Sequence, residues 1–334
     1  MAAPYFSVVM DNYNYARYVA QALDSVLAQD FPAKEVEIIV VDDGSTDDSC
    51  EVVARYKDRV RLIKQENRGQ AGAFETGFKA AAGTVVACID SDDTWHPQKL
   101  AAVADAMEKE GIGIVQHYQR DVDVEGRPLE NPMPDWPASY SLDDYLDGRF
   151  VNAAVSSLAF RRDILVGRIL PVPKDLFYLH DDYLLKRGLF FTEIANVRRI
   201  LGYHRIHGKN NWAQLYLSPQ KLEGSVREIR AFRRYVEPLL QERGKSFTPR
   251  YEAVEEMEVR RRELLLAMHR GERAKAFGVW SSLVKDYGTT AFGFFRAATC
   301  SLALVSPALY LKFYDLYSRR HWLADARRRL AAEN

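Results

Sequence analysis

The first half of the chain alternates short apolar runs with stretches in which apolar residues recur at helical spacing. Continuous apolar runs, typical of strands buried on both faces, occupy residues 6–10, 36–41, 61–63, 84–89 and 112–115. Helical periodicity or a helix-opening proline occurs at residues 16–29, 69–82 and from Pro97 onward. This alternation predicts an α/β fold with an open, mostly parallel sheet that carries helices on both faces.

The alternation changes in the second half of the chain. Residues 121–148 are rich in Pro and Asp and predict a loop, after which strand-like segments return near 155–160 and 193–203, with a short helix after Leu179. After these segments the pattern predicts only helices. We therefore expect an α/β domain in two halves and then a C-terminal helical extension, over residues 1–218 (halves of about 1–116 and 117–218) and 219–334.

Charge is balanced overall but uneven along the chain. Lys plus Arg and Asp plus Glu each number 46, which gives no net charge and argues against a nucleic-acid partner. Residues 221–334 nevertheless carry 22 basic and 14 acidic side chains, so the extension is basic and the α/β domain is acidic. The three cysteines have no paired spacing, and the N-terminus lacks a basic patch followed by a long apolar run. We expect a cytoplasmic protein without a signal peptide.

Acidic side chains follow three of the predicted strands. Asp11 ends the first strand, Asp42 and Asp43 end the second, and Asp-Ser-Asp-Asp at 90–93 follows the fourth. In an open parallel sheet the carboxyl ends of the strands share one edge, where ligands bind. Carboxylates gathered there repel each other unless a cation or a hydrogen-bonding ligand offsets them. Each acidic group alone could instead stabilise a turn or cap a helix, but three such groups on one edge of the sheet favour a ligand site.

The pair Asp90 and Asp92 is the strongest candidate for metal chemistry. Two carboxylates two residues apart in an extended turn can point the same way and share a hard divalent cation. Mn²⁺ and Mg²⁺ prefer oxygen ligands and typically bind one or two carboxylates together with substrate phosphates. We therefore expect a divalent cofactor and a diphosphate-bearing substrate at this edge of the sheet.

Five motifs occur in the order found in one enzyme family. They are Ser7–Met10 with Tyr13-Asn14, Ala22–Gln29, Val40–Asp47, Asn67–Gly69 and Asp90–Asp93. Over about residues 5–210 the chain resembles a family 2 glycosyltransferase with the Rossmann-like GT-A fold, of the type that acts on bacterial surface polysaccharides. The resemblance implies an inverting, metal-dependent enzyme that moves a sugar from a nucleotide-diphosphate sugar to an acceptor hydroxyl.

The resemblance also implies roles for individual positions in the nucleotide-sugar half. Tyr13 matches the family's aromatic residue that stacks near the nucleotide base, and Asp43 matches the carboxylate that hydrogen-bonds the base. Asp11 lines the same pocket, and Arg68 belongs to the Asn-Arg-Gly motif of the nucleotide-sugar site. Asp90 and Ser91 fall near the ribose, and Asp92 falls at the metal-binding position.

The catalytic base that the resemblance implies is a carboxylate in a residue pair that opens a helix of the acceptor half. The matching stretch is His180-Asp181-Asp182, and its spacing to Arg187 favours Asp181 as the base, with Asp182 as the alternative. A further alternative is that both aspartates only cap the helix, where an Asp is favourable by about 0.5–2 kcal/mol.

A later stretch, residues 203–211, resembles the Tyr-x-Arg-x-His-Gly-x-Asn sequence of some members from bacterial surface-polysaccharide systems. In it we expect His207 to complete the metal shell, and Arg205 or Lys209 to contact the diphosphate. The resemblance implies a UDP-, dTDP- or GDP-linked donor and a glycan or lipid-linked acceptor. The alternative is a non-catalytic sugar-nucleotide-binding or assembly protein with a degenerate transferase fold. A dehydrogenase is disfavoured because no GxGxxG follows the first strand.

The segment 291–311 is strongly apolar and near the length of about 20 residues that spans a bilayer. Arg296 and Pro307 weaken it as a transmembrane helix. Basic residues follow it at Arg319, Arg320 and 327–329, a combination that favours anionic membrane surfaces. Two alternatives follow: peripheral binding at the cytoplasmic membrane face, or packing against the catalytic domain or another subunit of a homo-oligomer.

Overall fold

The computed structural model describes residues 3–129, 133–176, 180–207, 210, 218–288 and 291–319. These residues form two compact units. The first unit contains the described residues up to Leu129 together with those of Asp135–Ile206 and Val236–Lys245. The second contains those of Glu130–Pro134 and His207–Tyr235 and those from Ser246 onward. Lys209 and the basic residues after Arg319 lie outside the described part of the chain.

Among the described residues, nine strands form one sheet in the first unit. In chain order the strands are β1 Phe6–Asn12, β2 Val36–Asp42, β3 Arg61–Lys64, β4 Val85–Asp90, β5 Thr94–Trp95, β6 Ile112–Val122, β7 Ser139–Tyr140, β8 Ala159–Arg161 and β9 Glu193–Arg205. Their order across the sheet is β3-β2-β1-β4-β8-β6-β9-β5, and β7 pairs with β9 beside this path. The first four strands run parallel, as do β6 and β9, whereas β5, β7 and β8 run antiparallel to their neighbours.

Helices connect the strands and continue after the sheet ends. The described α-helices are α1 Val19–Leu27, α2 Ser49–Ala54, α3 Gly69–Ala80, α4 Lys99–Met107, α5 Leu142–Leu146, α6 Arg162–Ile164, α7 His180–Gly188, α8 Pro219–Glu242, α9 Pro249–His269, α10 Arg273–Tyr287, α11 Ala291–Val305 and α12 Pro307–Arg319. A π-helical turn, Leu165–Ile169, follows α6 directly. Short 3₁₀ turns precede three strands, at Ala33–Glu35, Lys57–Arg59 and Val155–Ser157.

Helices cover both faces of the parallel strands. Val8 of β1 belongs to a buried apolar cluster that also contains Leu23 of α1 and Leu100 of α4. Val9 faces α3, where a Cβ added at Gly77 would lie 2.3 Å from Val9 Cγ1, so α3 approaches β1 closely only because this residue is glycine. Successive residues of a strand point to opposite faces. The predicted mostly parallel sheet with helices on both faces is therefore confirmed.

Several short elements were not predicted. Helix α5 lies within the stretch 121–148 that predicted a loop, and a capping box begins it: the Ser141 hydroxyl accepts the N–H of Asp144, whose carboxylate accepts the N–H of Ser141. Strand β6 extends to Val122 because it pairs with β9 along its length. Of the predicted strand at 155–160, Val155–Ser157 is a 3₁₀ turn. Two-residue strands such as β5 and β7 are too short to show any periodicity.

The second unit is helical, as the pattern beyond the sheet predicted. Side chains from α8 to α12 form its apolar core, which includes Leu222, Leu264, Leu265, Cys300 and Tyr310. The apolar segment 291–311 is divided between α11 and α12 at Pro307, which has no N–H to donate within a continuous helix. None of the described helices combines the length and the apolar character needed to cross a membrane.

Candidate active site

Three acidic side chains gather where β4 ends. Carboxylate oxygens of Asp90, Asp92 and Asp93 all lie within 4.8 Å of one another. Asp11, near the end of β1, is the register partner of Asp90 on β4. The two strand ends that the sequence analysis expected to share an edge therefore meet. Asp93 is a member of this group that the sequence analysis did not assign to the site, although it directly follows Asp92.

Burial and mutual repulsion keep these carboxyl groups from ionising together. Burial first, and then Asp11 and Asp93, raise the pKa of Asp90 well above its ordinary value. Burial raises the pKa of Asp11 to about 7, even though a hydrogen bond from Asp90 favours its charged form. The pKa of Asp93 rises to about 6, again chiefly through burial. Without a cation, the group therefore retains a proton near neutral pH.

Arg205, the last residue of β9, holds the acidic loop in place. Its backbone N–H donates to Asp93 Oδ1 (2.9 Å), and its Nε–H donates to the carbonyl oxygen of Asp92 (3.0 Å). The guanidinium also donates to the carbonyl oxygen of Val124 (3.0 Å) and to Gln21 Oε1 (2.8 Å). These contacts make Arg205 a buried positioning residue for the loop. Its contact with a diphosphate stays a prediction.

His204 brings a positive charge to the carboxylates. Its Nδ1 lies 3.1 Å from Asp121 Oδ1. Burial lowers the pKa of His204, but Asp93 and then Asp121 outweigh burial and raise this pKa to about 9. The imidazole is therefore protonated at neutral pH and partly offsets the acidic group. Nothing in the sequence pattern distinguished His204 from the other histidines, because its role depends on the pairing of β9 with β6.

Buried groups support the β4 end from inside the sheet. Ser156 Oγ accepts the N–H of Asp90 (2.9 Å), and the carbonyl oxygen of Ser156 accepts hydrogen bonds from Lys99 Nζ (2.8 Å) and Trp95 Nε1 (3.0 Å). Lys99 is fully buried, with Nζ 3.4 Å from the centre of the Trp95 ring, and burial lowers its pKa well below the usual range. The backbone of Asp90 is thereby fixed by a three-residue network that the sequence analysis did not identify.

The loops after β1 and β2 are tied together beside this acidic group. Asn12 Nδ2 donates to Asp42 Oδ1 (2.8 Å), and Asn14 Oδ1 accepts the N–H of Thr46 (2.8 Å). Between these two anchors, the side chain of Tyr13 is 46% exposed. An aromatic ring held open at a strand end is available for stacking on a planar ligand.

Asp43 connects the same loops to the start of α3. Its Oδ1 accepts hydrogen bonds from Gln65 Nε2 (2.6 Å) and from the N–H of Arg68 (2.8 Å). The next residue, Gly44, has a φ of +79°, which favours glycine, and a Cβ there would also lie 3.1 Å from the backbone nitrogen of Asn67. The buried Asp43 and the exposed Arg68 are thus neighbours, and Gln65 is a supporting residue that the sequence analysis missed.

Helix α7 begins with the predicted base candidates, which differ in their surroundings. Asp182 Oδ2 forms an ion pair with Lys186 Nζ at 2.6 Å. Asp181 is more buried, and its Oδ1 accepts the N–H of Asp182 (2.8 Å). Burial first, and then Asp182, raise the pKa of Asp181 to about 7. A carboxyl group with a pKa near 7 is suited to act as a general base at neutral pH.

The structure brings most of the predicted site residues into the first unit. These are Asp11, Tyr13, Asp43, Arg68, Asp90, Ser91, Asp92, Asp181, Asp182 and Arg205. His207 belongs to the second unit, where it is buried and its N–H donates to Asn210 Oδ1 (2.6 Å). Its place in a metal shell stays a prediction. Lys209 lies outside the described residues.

Known proteins are similar in sequence to part of this chain. Residues 7–167 match the family model described as glycosyl transferase family 2. An uncharacterised glycosyltransferase of Nostoc sp. (strain PCC 7120) is 35% identical over 217 residues, which cover 61% of this chain and 66% of that protein. The poly(ribitol-phosphate) beta-N-acetylglucosaminyltransferase TarS of Staphylococcus aureus (strain MW2) is 30% identical over 230 residues, 67% of this chain and 39% of that protein. The chain thus spans less than two thirds of the length of either relative.

Solved structures share the fold. The structure of S. aureus TarS 1-349 in complex with UDP-GlcNAc matches with a TM-score of 0.57 at 18% identity, covering 86% of this chain and 93% of that one. The mannosyltransferase PcManGT from Pyrobaculum calidifontis, in complex with GDP-Man and Mn²⁺, matches with a TM-score of 0.57 at 18% identity, covering 94% and 84%. These likenesses confirm the predicted GT-A fold. Residues 7–167 of this chain are therefore a glycosyl transferase family 2 segment.

Proposed function

We propose that this chain is an inverting glycosyltransferase that moves a sugar from a nucleotide-diphosphate sugar to an acceptor hydroxyl, in bacterial polysaccharide or glycan assembly. The observation that carries the proposal is the group of carboxylates at the ends of β1 and β4 in a segment of this family. Nucleotide sugars are also the ligands in the two structural neighbours. We further propose that residues 1–218 carry the transfer and 219–334 the attachment to other partners.

A divalent cation, Mn²⁺ or Mg²⁺, fits the acidic group. The three clustered carboxylates supply oxygen ligands, and the repulsion that raises the pKa of Asp90 is the kind that a cation offsets. Ser91, which lies between Asp90 and Asp92 in sequence, has a buried Oγ with no hydrogen-bond partner within the described ranges, as expected for an atom that a ligand completes. Asp92, with Asp90 and Asp93, would hold the cation, which when bound stabilises negative charge developing on the diphosphate leaving group.

The nucleotide would bind beside this group, along the loops after β1 and β2. The open ring of Tyr13 supports stacking of the base, and the buried carboxylate of Asp43 supports a hydrogen bond from a base N–H. Asp11 lies between these residues and Asp90, and Arg68 offers an exposed cation held by its backbone contact with Asp43. A UDP-, dTDP- or GDP-linked donor is consistent with this arrangement.

Asp181 is the proposed general base. In the transfer, the acceptor oxygen bonds to the anomeric carbon while the bond from that carbon to the diphosphate oxygen breaks, and the hydroxyl proton goes to Asp181. Attack opposite the leaving group inverts the anomeric configuration. Two observations support Asp181 over Asp182: its pKa is near 7, and Asp182 is held in an ion pair with Lys186.

The acceptor is proposed to be a glycan or a lipid-linked sugar, used by an enzyme that works in the cytoplasm and binds peripherally to the anionic membrane face. The exposed apolar side chains of Val305 and Leu309 and the excess of basic residues in the C-terminal third support this placement. Val305→Glu/Leu309→Glu should then lower sedimentation with anionic liposomes. If the same variant instead converts a dimer to a monomer, the segment forms a homo-oligomer contact.

Donor hydrolysis tests the proposed chemistry directly. With Mn²⁺ present, the protein should release nucleoside diphosphate from one of the UDP-, dTDP- or GDP-linked sugars, and Asp92→Ala should slow the release at least 100-fold. Thermal stabilisation by a nucleotide sugar with no release, in the presence of candidate acceptors, would support the alternative of a non-catalytic sugar-nucleotide-binding protein. Neither stabilisation nor release with any donor would contradict both functions.

A further inference from the structure

A basic groove lies in the second unit, between α8 and α9. Its volume is about 630 Å³, within the range of about 300–1,000 Å³ that is usual for small-molecule sites. The lining comes from α8, α9 and the start of α10. It contains five basic side chains: Arg227, Arg230, Arg234, Arg270 and Lys275.

Acidic side chains of the lining do not balance this charge. The two lining carboxylates, Glu223 and Glu263, are both in ion pairs across the groove, with Arg270 at 2.7 Å and with Arg230 at 2.6 Å. Lys275 is paired at 3.1 Å with Glu272, which is outside the lining. With Glu272 counted, five basic side chains face three acidic ones, and this surplus forms a local positive potential in a chain that has no net charge.

The basic residues of α8 form a row along the groove. Arg227, Arg230 and Arg234 are three and four positions apart, so they share one face of the helix. At 1.5 Å of rise per residue the row extends over about 10 Å. All three side chains are exposed, and within the described part of the chain Arg227 has neither an ion pair nor a side-chain hydrogen bond. Guanidinium groups at this spacing suit a ligand with more than one phosphate, because each can bind phosphate with two parallel hydrogen bonds.

We propose that this groove is a binding site for a ligand that carries two or more phosphate groups. Apolar side chains of the lining, Val226, Ala231 and Leu266, supply contacts for the organic part that joins the phosphates. The site would be occupied by a soluble phosphorylated molecule or by phospholipid head groups, which present the same chemistry. This inference does not depend on the proposed sugar transfer, because the acidic group and the base proposed for the transfer belong to the first unit and the residues of the groove to the second.

Inorganic tripolyphosphate is the probe for the phosphate chemistry. Calorimetric titration of the full chain in EDTA, so that no divalent cation can recruit the probe to the acidic site, should show saturable binding that weakens as NaCl is raised. Arg227→Glu/Arg234→Glu should weaken this binding at least tenfold. The matched control is Lys285→Glu/Lys312→Glu, which makes the same change in charge at two exposed positions of the same unit outside the lining. The control should stay within twofold of the natural protein.

Vesicles distinguish the two sources of phosphate. Sedimentation with phosphatidylglycerol-containing vesicles, but not with phosphatidylcholine vesicles, that is lost in the groove variant assigns the site to phospholipid head groups. Tripolyphosphate binding without sedimentation assigns it to a soluble ligand. No binding of either probe, or an equal loss in the control variant, would overturn the proposal.

Two further measurements distinguish misfolding of the variant from loss of the binding site. Circular dichroism of the groove variant should match that of the natural protein, and UDP binding with Mn²⁺ should be unchanged. If the double variant does not fold, Arg227→Gln replaces it, compared with Lys285→Gln. The single change should weaken tripolyphosphate about threefold, and an unchanged affinity would again overturn the proposal. If the natural protein binds none of UDP, dTDP and GDP, this result counts against the sugar-transfer function alone.

Discussion

Asp11 and Asp90 are register partners in the parallel pairing of β1 and β4, so folding places two carboxyl groups side by side at one edge of the sheet. Burial and this proximity raise the pKa of Asp90 well above its ordinary value, and burial raises that of Asp11 to about 7. Because the folded state disfavours the ionised forms of these two carboxyl groups, they lower the free energy of unfolding when no ligand is bound. This arrangement is favourable only with a ligand that offsets those charges, which is the physical basis for the predictions on metal and donor.

Replacing Asp11 should stabilise the metal-free protein in a pH-dependent way. The folded-state pKa of about 7 is above the ordinary value of 3.8, so the unfolded chain releases this proton first and the group destabilises the fold increasingly as pH rises from about 4 to 7. Asp11→Asn should therefore increase the free energy of unfolding by about 4 kcal/mol at pH 8, and by less at pH 5. Urea unfolding in EDTA measures both values. An equal effect at the two pH values would contradict this explanation.

Activity should rise with pH through the titration of Asp181. The base must be ionised to accept a proton, and its pKa is about 7, so kcat/KM for transfer should increase between about pH 6 and 8 and then level off. Asp181→Asn should keep donor affinity within threefold and lower transfer at least 100-fold, because an amide cannot accept the proton. Asp182→Asn should cost less than tenfold. The reverse ranking of these two variants would assign the base to Asp182.

Removing the metal should abolish turnover without unfolding the protein. EDTA should stop transfer, and added Mn²⁺ should restore it and raise the melting temperature. Asp92→Ala should lose both responses, because Asp92 is in the carboxylate group that would bind the cation. Asp58→Ala, at an exposed position in the turn before β3, is the control and should keep both. Full activity in EDTA would contradict the metal assignment.

Two adjacent buried serines provide a test of how the β4 end is held. Ser156 Oγ accepts the N–H of Asp90, whereas Ser157 Oγ donates to the nearby carbonyl oxygen of Ala154. Each serine-to-alanine change should lower the free energy of unfolding by about 1–2 kcal/mol through an unsatisfied buried group. Only Ser156→Ala should also weaken Mn²⁺ and donor binding, by about tenfold. Titration of both variants with Mn²⁺ by thermal shift compares them, and equal metal affinities would show that Ser156 does not position Asp90.

Local sequence patterns were sufficient to predict the framework of the first unit. Apolar runs and helical periodicity are local patterns, so they predicted β1, β2 and β4 and the helices α1 and α3. They also predicted that Asp11, Asp43 and Asp90 would share an edge, because parallel strands in an open sheet end on the same side. The pair Asp90 and Asp92 was recognisable from two-residue spacing alone.

The surroundings of these carboxylates, in contrast, depend on long-range packing. Arg205 contacts Asp93, His204 acts on it electrostatically, and Ser156 accepts the N–H of Asp90, across more than 60 residues of sequence in each case. These partnerships depend on which strands pair and in which register, and strand register is set by packing of the whole sheet. The same reason applies to the basic groove. Helical spacing alone predicts that the arginines of α8 form a row. That this row lies beside Glu263 and Arg270 depends on the packing of α8 against α9.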